Sequence, residues 1–209
     1  MGKLLYIQAS PRGGRSKSIA VADAFVDAYR RANEDDKIDT LNVFEEDLPA
    51  FDGPALAAKY AILGGGTPGD EHREAWSRVE AVIERFKSAD KYLFAVPMWN
   101  FSIPHRLKQY FDVIVQPTYA FSYDPDSGYT GLITNRPACV VYASGGDYSS
   151  DEMQSVDMQK PYMNLILTFI GFEDIRSVTV APTLMGAPAE KDESIRRACD
   201  KARATAADF

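Results

Sequence analysis

The chain has 209 residues, with 23 Lys plus Arg against 30 Asp plus Glu and a formal net charge of −7. Its 45% hydrophobic and 25% charged residues are globular composition, neither disordered nor fibrous. The acidic balance disfavours sequence-independent binding to nucleic acid, no apolar run approaches the roughly 20 residues of a bilayer span, and two cysteines imply neither a disulfide framework nor a zinc site.

The N-terminal stretch MGKLLYIQAS has no signal-peptide core and carries Tyr6 where a myristoylation signal needs Ser or Thr, so a soluble cytoplasmic protein is expected. Residues 3–9 read as a short apolar strand ending at a polar loop, residues 10–18 (SPRGGRSKS). From Ser18 to Ala32, apolar residues at Ile19, Ala22, Phe25, Val26 and Tyr29 keep helical spacing, with Ser18 placed as the N-cap. Residues 38–44 alternate as a second strand, and residues 54–63 and 70–89 read as helices separated by the glycine-rich break 64–69. Residues 92–96 (YLFAV) form a continuous apolar run, as in a strand buried on both faces, and a helix follows over residues 104–115. Residues 116–135, centred on Asp124-Pro125-Asp126-Ser127-Gly128, make an excursion expected to form a small hairpin or lid. A fourth strand (138–143), a helix (160–170), a fifth strand (175–180) and an amphipathic helix (188–207) complete the chain.

Strands alternate with helices five times, which implies right-handed crossovers and a mainly parallel, doubly wound sheet with helices on both faces. No repeat, low-complexity tract or linker divides the sequence, so residues 1–209 are expected to form one α/β domain. If the strand order is 2-1-3-4-5, strands one, three and four are neighbours and the loops at their carboxyl ends converge, whereas the alternative doubly wound order would scatter them.

Those three loops carry unusual chemistry. In the first, hydroxyls of Ser10, Ser16 and Ser18 join the free amides of a helix N-terminus, a setting for a phosphate monoester, with Arg12, Arg15 and Lys17 raising the local potential. Read alone, that loop is equally a capped helix start with Gly13-Gly14 as a turn. It lacks the G-x-x-x-x-G-K-[ST] pattern and the G-x-G-x-x-G fingerprint, and holds no Cys for a cysteine phosphatase. In the second loop, Pro97, Met98, Trp99, Asn100 and Phe101 set apolar walls around one amide, which suits a planar hydrogen-bonding ring. In the third, Gly145 and Gly146, flanked by Ser144 and Asp147, let backbone approach a ligand closely.

The loop SPRGGRSKS, the block PMWNFSIPHRLKQYFD (residues 97–112), the pair Gly131-Leu132, and SGGDY with the later Phe169-Ile170-Gly171-Phe172 together resemble the FMN-dependent NADH:azoreductases of the flavodoxin-like quinone reductase group. The resemblance runs over nearly the whole chain. It implies a flavodoxin-like five-stranded parallel sheet and a homodimer with one FMN per subunit near the interface. It also implies two-electron transfer from NADH, or NADPH, to quinones and aromatic azo compounds. It places Ser10, Ser16, Lys17 and Ser18 on the FMN phosphate. Pro97, Met98, Trp99, Asn100 and Phe101 would line the ring, as would Ser144, Gly145, Gly146 and Asp147. Phe121 and Tyr123 would border the substrate pocket. Two departures, residues 116–119 (QPTY) and Trp99 where many members have Tyr, leave substrate and nucleotide preference open.

No side chain is assigned as an obligatory catalytic acid or base, and no metal is expected. His105 is read as a helix-start surface residue, Cys139 as a buried core residue and Cys199 as a helix residue. The rival reading is a flavodoxin-type one-electron carrier. A flavin-free hydrolase is a weaker rival, because no G-x-S-x-G elbow is present.

Overall fold

A computed structural model describes residues 1–209 apart from the side chain of residue 71. In chain order the elements are β1 (Lys3–Gln8), α1 (Lys17–Ala32), β2 (Lys37–Asn42), α2 (Gly53–Leu63), α3 (Asp70–Lys87), β3 (Lys91–Pro97) and α4 (His105–Ile114). There follow β4 (Phe121–Asp124), β5 (Gly128–Gly131), β6 (Ala138–Ala143), α5 (Asp151–Gln154), α6 (Gln159–Ile170), β7 (Ile175–Val180) and α7 (Pro188–Ala207). Five strands pair in parallel in the order β2-β1-β3-β6-β7, which is 2-1-3-4-5 once the separate antiparallel hairpin β4–β5 is set aside.

Successive strand residues point to opposite faces, so each apolar run feeds two cores. Leu5, Ile7, Phe94, Val96, Val140 and Tyr142 face one layer, where they pack with Trp76, Leu107, Phe111 and Leu167 of α3, α4 and α6. Leu4, Tyr6, Leu93, Ala95, Cys139 and Val141 face the other, with Phe25, Tyr29, Ala198 and Ala202 of α1 and α7. β3 and β6 are buried on both faces, which is why their sequences lack alternation.

Two expectations change, and a third resolves to one of its alternatives. The N-cap of α1 is Ser16, not Ser18: a 3-10 turn at Gly13–Arg15 leaves Ser16 extended (φ −80°, ψ 126°), so its hydroxyl accepts from the Ile19 amide. β2 stops at Asn42 because the Asn42 carboxamide oxygen accepts the Phe44 N–H at 3.0 Å and turns the chain. The excursion does form a hairpin, but no lid over the loops described above. Its Gly131 packs on the Gly171 backbone, and Ile133 N–H donates to Ile170 O at 2.8 Å. That seats the hairpin at the C-terminus of α6, where the chain enters β7, at the opposite end of the sheet.

Candidate functional site

At the carboxyl ends of β1, β3 and β6 the three loops meet around one cavity of about 260 Å³. Ser10, Ser16, Lys17 and Ser18 line it from the first loop, and Pro97, Met98 and Trp99 from the second. Ser144 and Gly145 contribute from the third. Arg12 also lines it, whereas Arg15 is absent from the lining.

Ser10, Ser16 and Ser18 are almost wholly buried, and the Ser16 and Ser18 hydroxyls share a hydrogen bond at 3.0 Å. The first intrahelical bond of α1 runs from Ala20 N–H to Ser16 O, so the amides of Lys17 and Ser18 have no partner within the helix. Hydroxyls, open amides and the positive end of a 16-residue helix suit a terminal phosphate. The side chains of Arg12 and Lys17, both exposed, add charge at the mouth.

The second loop is tied to the third by Met98 N–H donating to Ala143 O at 2.7 Å. Beyond it, Trp99 and Ser102 exchange backbone bonds at 2.9 and 3.0 Å, closing a two-residue turn over Asn100 (φ 47°) and Phe101 (φ 68°). Two positive φ values define a primed turn, normally given to Asn-Gly; Phe in the second place costs on the order of 1 kcal/mol. Trp99 packs at 5.5 Å on Phe44 and at 5.8 Å on His105, which makes it a fixed wall. Asn100 lines an adjoining cavity of about 450 Å³ with Trp99, His105, Lys108 and Tyr162, and Phe101 stands exposed at the turn tip.

Ser144 and Gly145 hold a fourth wall that the sequence reading missed. The Ser144 carbonyl accepts the Thr183 hydroxyl at 2.8 Å, and the Gly145 carbonyl accepts the amides of Thr183, Leu184 and Met185 at 2.9–3.2 Å. Thr183 and Leu184 thereby line the same cavity. A Cβ on Gly145 would meet Leu184 Cδ1 at 3.1 Å, and one on Gly146 would meet Met185 Sδ at 3.1 Å. These glycines therefore make room for this wall. The available signal was positional: the segment leaves β7, the neighbour of β6. Asp147 accepts from the Ser149 amide and hydroxyl at 2.9 Å each and lines a second cavity of about 200 Å³, which shares Met98 and Ser144 with the first.

Phe121 and Tyr123 are not brought to this cavity. Phe121 packs on Phe169 and Tyr129 within the hairpin cluster at the far end of the sheet, and Tyr123 lies exposed beside it. His105 is exposed and meets the edge of Phe44 at 5.6 Å. Burial pushes the Cys139 thiol up to about 12, which leaves it inert at neutral pH. Among the described residues no group of His, Cys, Asp and Glu is arranged to hold a metal, and no helix is long and apolar enough to cross a membrane.

A model of the flavodoxin-like fold family matches residues 2–206. A quinone reductase of Nitratidesulfovibrio vulgaris, named FMN-dependent NADH:quinone oxidoreductase, is 52% identical over the full length of both chains. The chain belongs to the flavodoxin-like family of azoreductases and quinone reductases. A Ruegeria pomeroyi member, also named FMN-dependent NADH:quinone oxidoreductase, is 46% identical over 88% of this chain and 91% of its own. Among solved structures, an azoreductase from Bacillus anthracis superposes with a TM-score of 0.93 at 26% identity, covering all of both chains. An FMN-dependent NADH-azoreductase from the same species, solved in complex with FMN, gives 0.87 at 29% identity over 99% of this chain and 100% of that one.

Proposed function

We propose that the protein is a cytoplasmic FMN-dependent oxidoreductase that passes two electrons from NADH, or NADPH, to quinones and to aromatic azo compounds. The observation that carries this reading is the shared cavity, where buried serine hydroxyls and the first amides of α1 face the loops after β3 and β6. The family relatives named for this activity support it.

FMN fits the residues present better than a dinucleotide flavin. Ser10, Ser16 and Ser18 with the open amides of Lys17 and Ser18 suit a terminal monoester, and a dinucleotide fingerprint is absent after β1. When bound, FMN supplies hydride acceptance from the nicotinamide and hydride return to the acceptor. The chain supplies position and electrostatics. Pro97, Met98 and Trp99 would bound the ring on one side and Ser144 and Gly145 on the other, with Thr183 and Leu184 closing the wall. Asn100, Phe101, Gly146 and Asp147, which the resemblance also gives to the ring, lie outside that lining. No side chain is given the role of obligatory acid or base. Donor and acceptor use the same space in turn, which makes turnover ping-pong.

In this reading residues 1–209 work as one unit that pairs as a homodimer. Phe121 and Tyr123, at the far end of the sheet, then border the pocket of a second copy. Exposed Tyr123, Tyr129, Leu132 and Leu165 support that pairing, since they would otherwise leave an apolar surface in water.

Heat release and chromatography of the cofactor should yield FMN, and initial rates with NADH and a benzoquinone should give parallel double-reciprocal lines. FAD at full occupancy, or intersecting lines, would overturn the assignment of the cofactor or of the shared pocket respectively.

A further inference from the structure

α6 begins beside the Trp99–Ser102 turn, and its first polar groups are nearly all engaged there. Asp157, almost wholly buried, accepts the amides of Gln159 and Lys160 at 2.9 and 3.2 Å, which caps the helix. The Met158 amide is left over by that cap, and it donates to Phe101 O at 2.8 Å. The Gln159 side chain, 1% exposed, turns inward, and its Nε2 donates to Val96 O at 3.0 Å. Both ends of the segment 96–101 are thus fastened to two consecutive residues at the start of α6, its N-cap Met158 and its first residue Gln159. The turn between them holds two non-glycine residues at positive φ, a conformation that persists only where surroundings over-determine it.

We infer that the first turn of α6 is a clamp that sets the position of the Met98–Phe101 loop, with Gln159 as a positioning residue for the proposed flavin site. The inference rests on the FMN reading for its functional consequence but on the two hydrogen bonds for its geometry. Gln159 itself does not reach the cavity of the buried serines. Its contribution acts through Val96 O, near the end of β3 and two residues before Met98. The phosphate end is held independently by α1, so loosening the clamp separates ring placement from cofactor retention.

The test compares Gln159→Leu and Gln159→Glu with the parent protein, with and without FMN. In the flavin-free protein, amide hydrogen exchange at Trp99 and Ser102 should quicken by about tenfold or more in Gln159→Leu, while β1 amides stay unchanged. With FMN, affinity should stay within about threefold, the visible circular dichroism of the bound flavin should change, and its reduction by NADH should slow by about tenfold or more. Gln159→Glu offers a rescue. Its carboxyl donates to Val96 O only when protonated, and burial raises its pKa above the usual ~4.3. Reduction by this variant should therefore recover as pH falls from about 8 to about 5.5, relative to the parent at each pH. Unchanged exchange and dichroism in Gln159→Leu would overturn the clamp, as would affinity falling in step with the rate. A parent protein that takes up no FMN would overturn the proposed function, and the exchange measurement alone would then decide the clamp.

Discussion

Along the edge strand β2, charged side chains are closed onto one another. Arg85 bonds Asp39 and Glu46 at 2.8 Å each and the Thr40 carbonyl at 3.2 Å, and Lys3 pairs with Asp39 at 2.9 Å. Arg106 adds bonds to Val43 O and Glu46 O at 2.9 and 2.6 Å. At the carboxyl ends of β1, β3 and β6, by contrast, the buried serine hydroxyls bond only each other or backbone groups within a few residues, and the first amides of α1 keep an open side. Both regions are polar and both lie at a margin of the same sheet. Closed groups at an edge strand block further pairing and stabilise the fold, whereas open donors beside a cavity give the fold little and can serve a ligand. The contrast therefore predicts which substitutions move binding and which move stability.

The sharpest break is the double substitution Ser16→Ala, Ser18→Ala. It removes two hydroxyls placed for a charged acceptor, so FMN affinity should fall by about 2–4 kcal/mol, while the lost cap costs about 1 kcal/mol of folding stability. Equilibrium titration and urea unfolding on the same samples separate the two. Wild-type affinity would take the first loop out of the site.

At β2 the expectation reverses. The Arg85 guanidinium, with desolvation opposing and Lys3 assisting, holds the Asp39 carboxyl down at about 2, against 3.8 for the free group. A depressed carboxylate contributes stability above its unfolded pKa and loses it as pH falls through the folded one. Asp39→Asn should thus lower unfolding free energy by on the order of 1–2 kcal/mol at neutral pH, with FMN affinity unchanged. The deficit should shrink as pH drops from about 4 towards about 2. A deficit independent of pH would show that Asp39 matters for packing and not for charge.

The contrast also marks what was legible from residue order. Apolar runs and breaker residues give the alternation of strands and helices, whereas the strand order comes from the flavodoxin-like resemblance; with that order, the loops bearing Ser10, Met98 and Ser144 meet. Ser16 and Ser18 are both credible caps in a linear reading; the 3-10 turn at Gly13–Arg15 decides between them, and only the folded backbone displays it. The resemblance gives Phe121 and Tyr123 to a substrate pocket, and nothing local says which end of the sheet, or whose pocket, the hairpin joins. The Gly131–Gly171 contact settles that, and it is a close approach between residues 40 apart in sequence. Thr183 and Gln159 escaped for a related reason. Each acts on a backbone carbonyl of another segment, Ser144 O and Val96 O, and a carbonyl leaves no mark in side-chain patterns.

The finest probe lies inside the open region. Phe101 holds φ 68° with its side chain 52% exposed, so its ring adds little to the core and its backbone is strained. Glycine takes that φ without strain, although it gives the unfolded chain more freedom. The two effects oppose, and relief should win by about 0.5 kcal/mol, so Phe101→Gly should unfold at slightly higher urea. If the ring serves the flavin site, the same variant should reduce quinone more slowly. Stability rising while turnover falls is the signature of strain retained for function. A fall in both would mean that Phe101 belongs with Asp39 among the residues that hold the fold, and the division between closed and open polar margins would not extend to this turn.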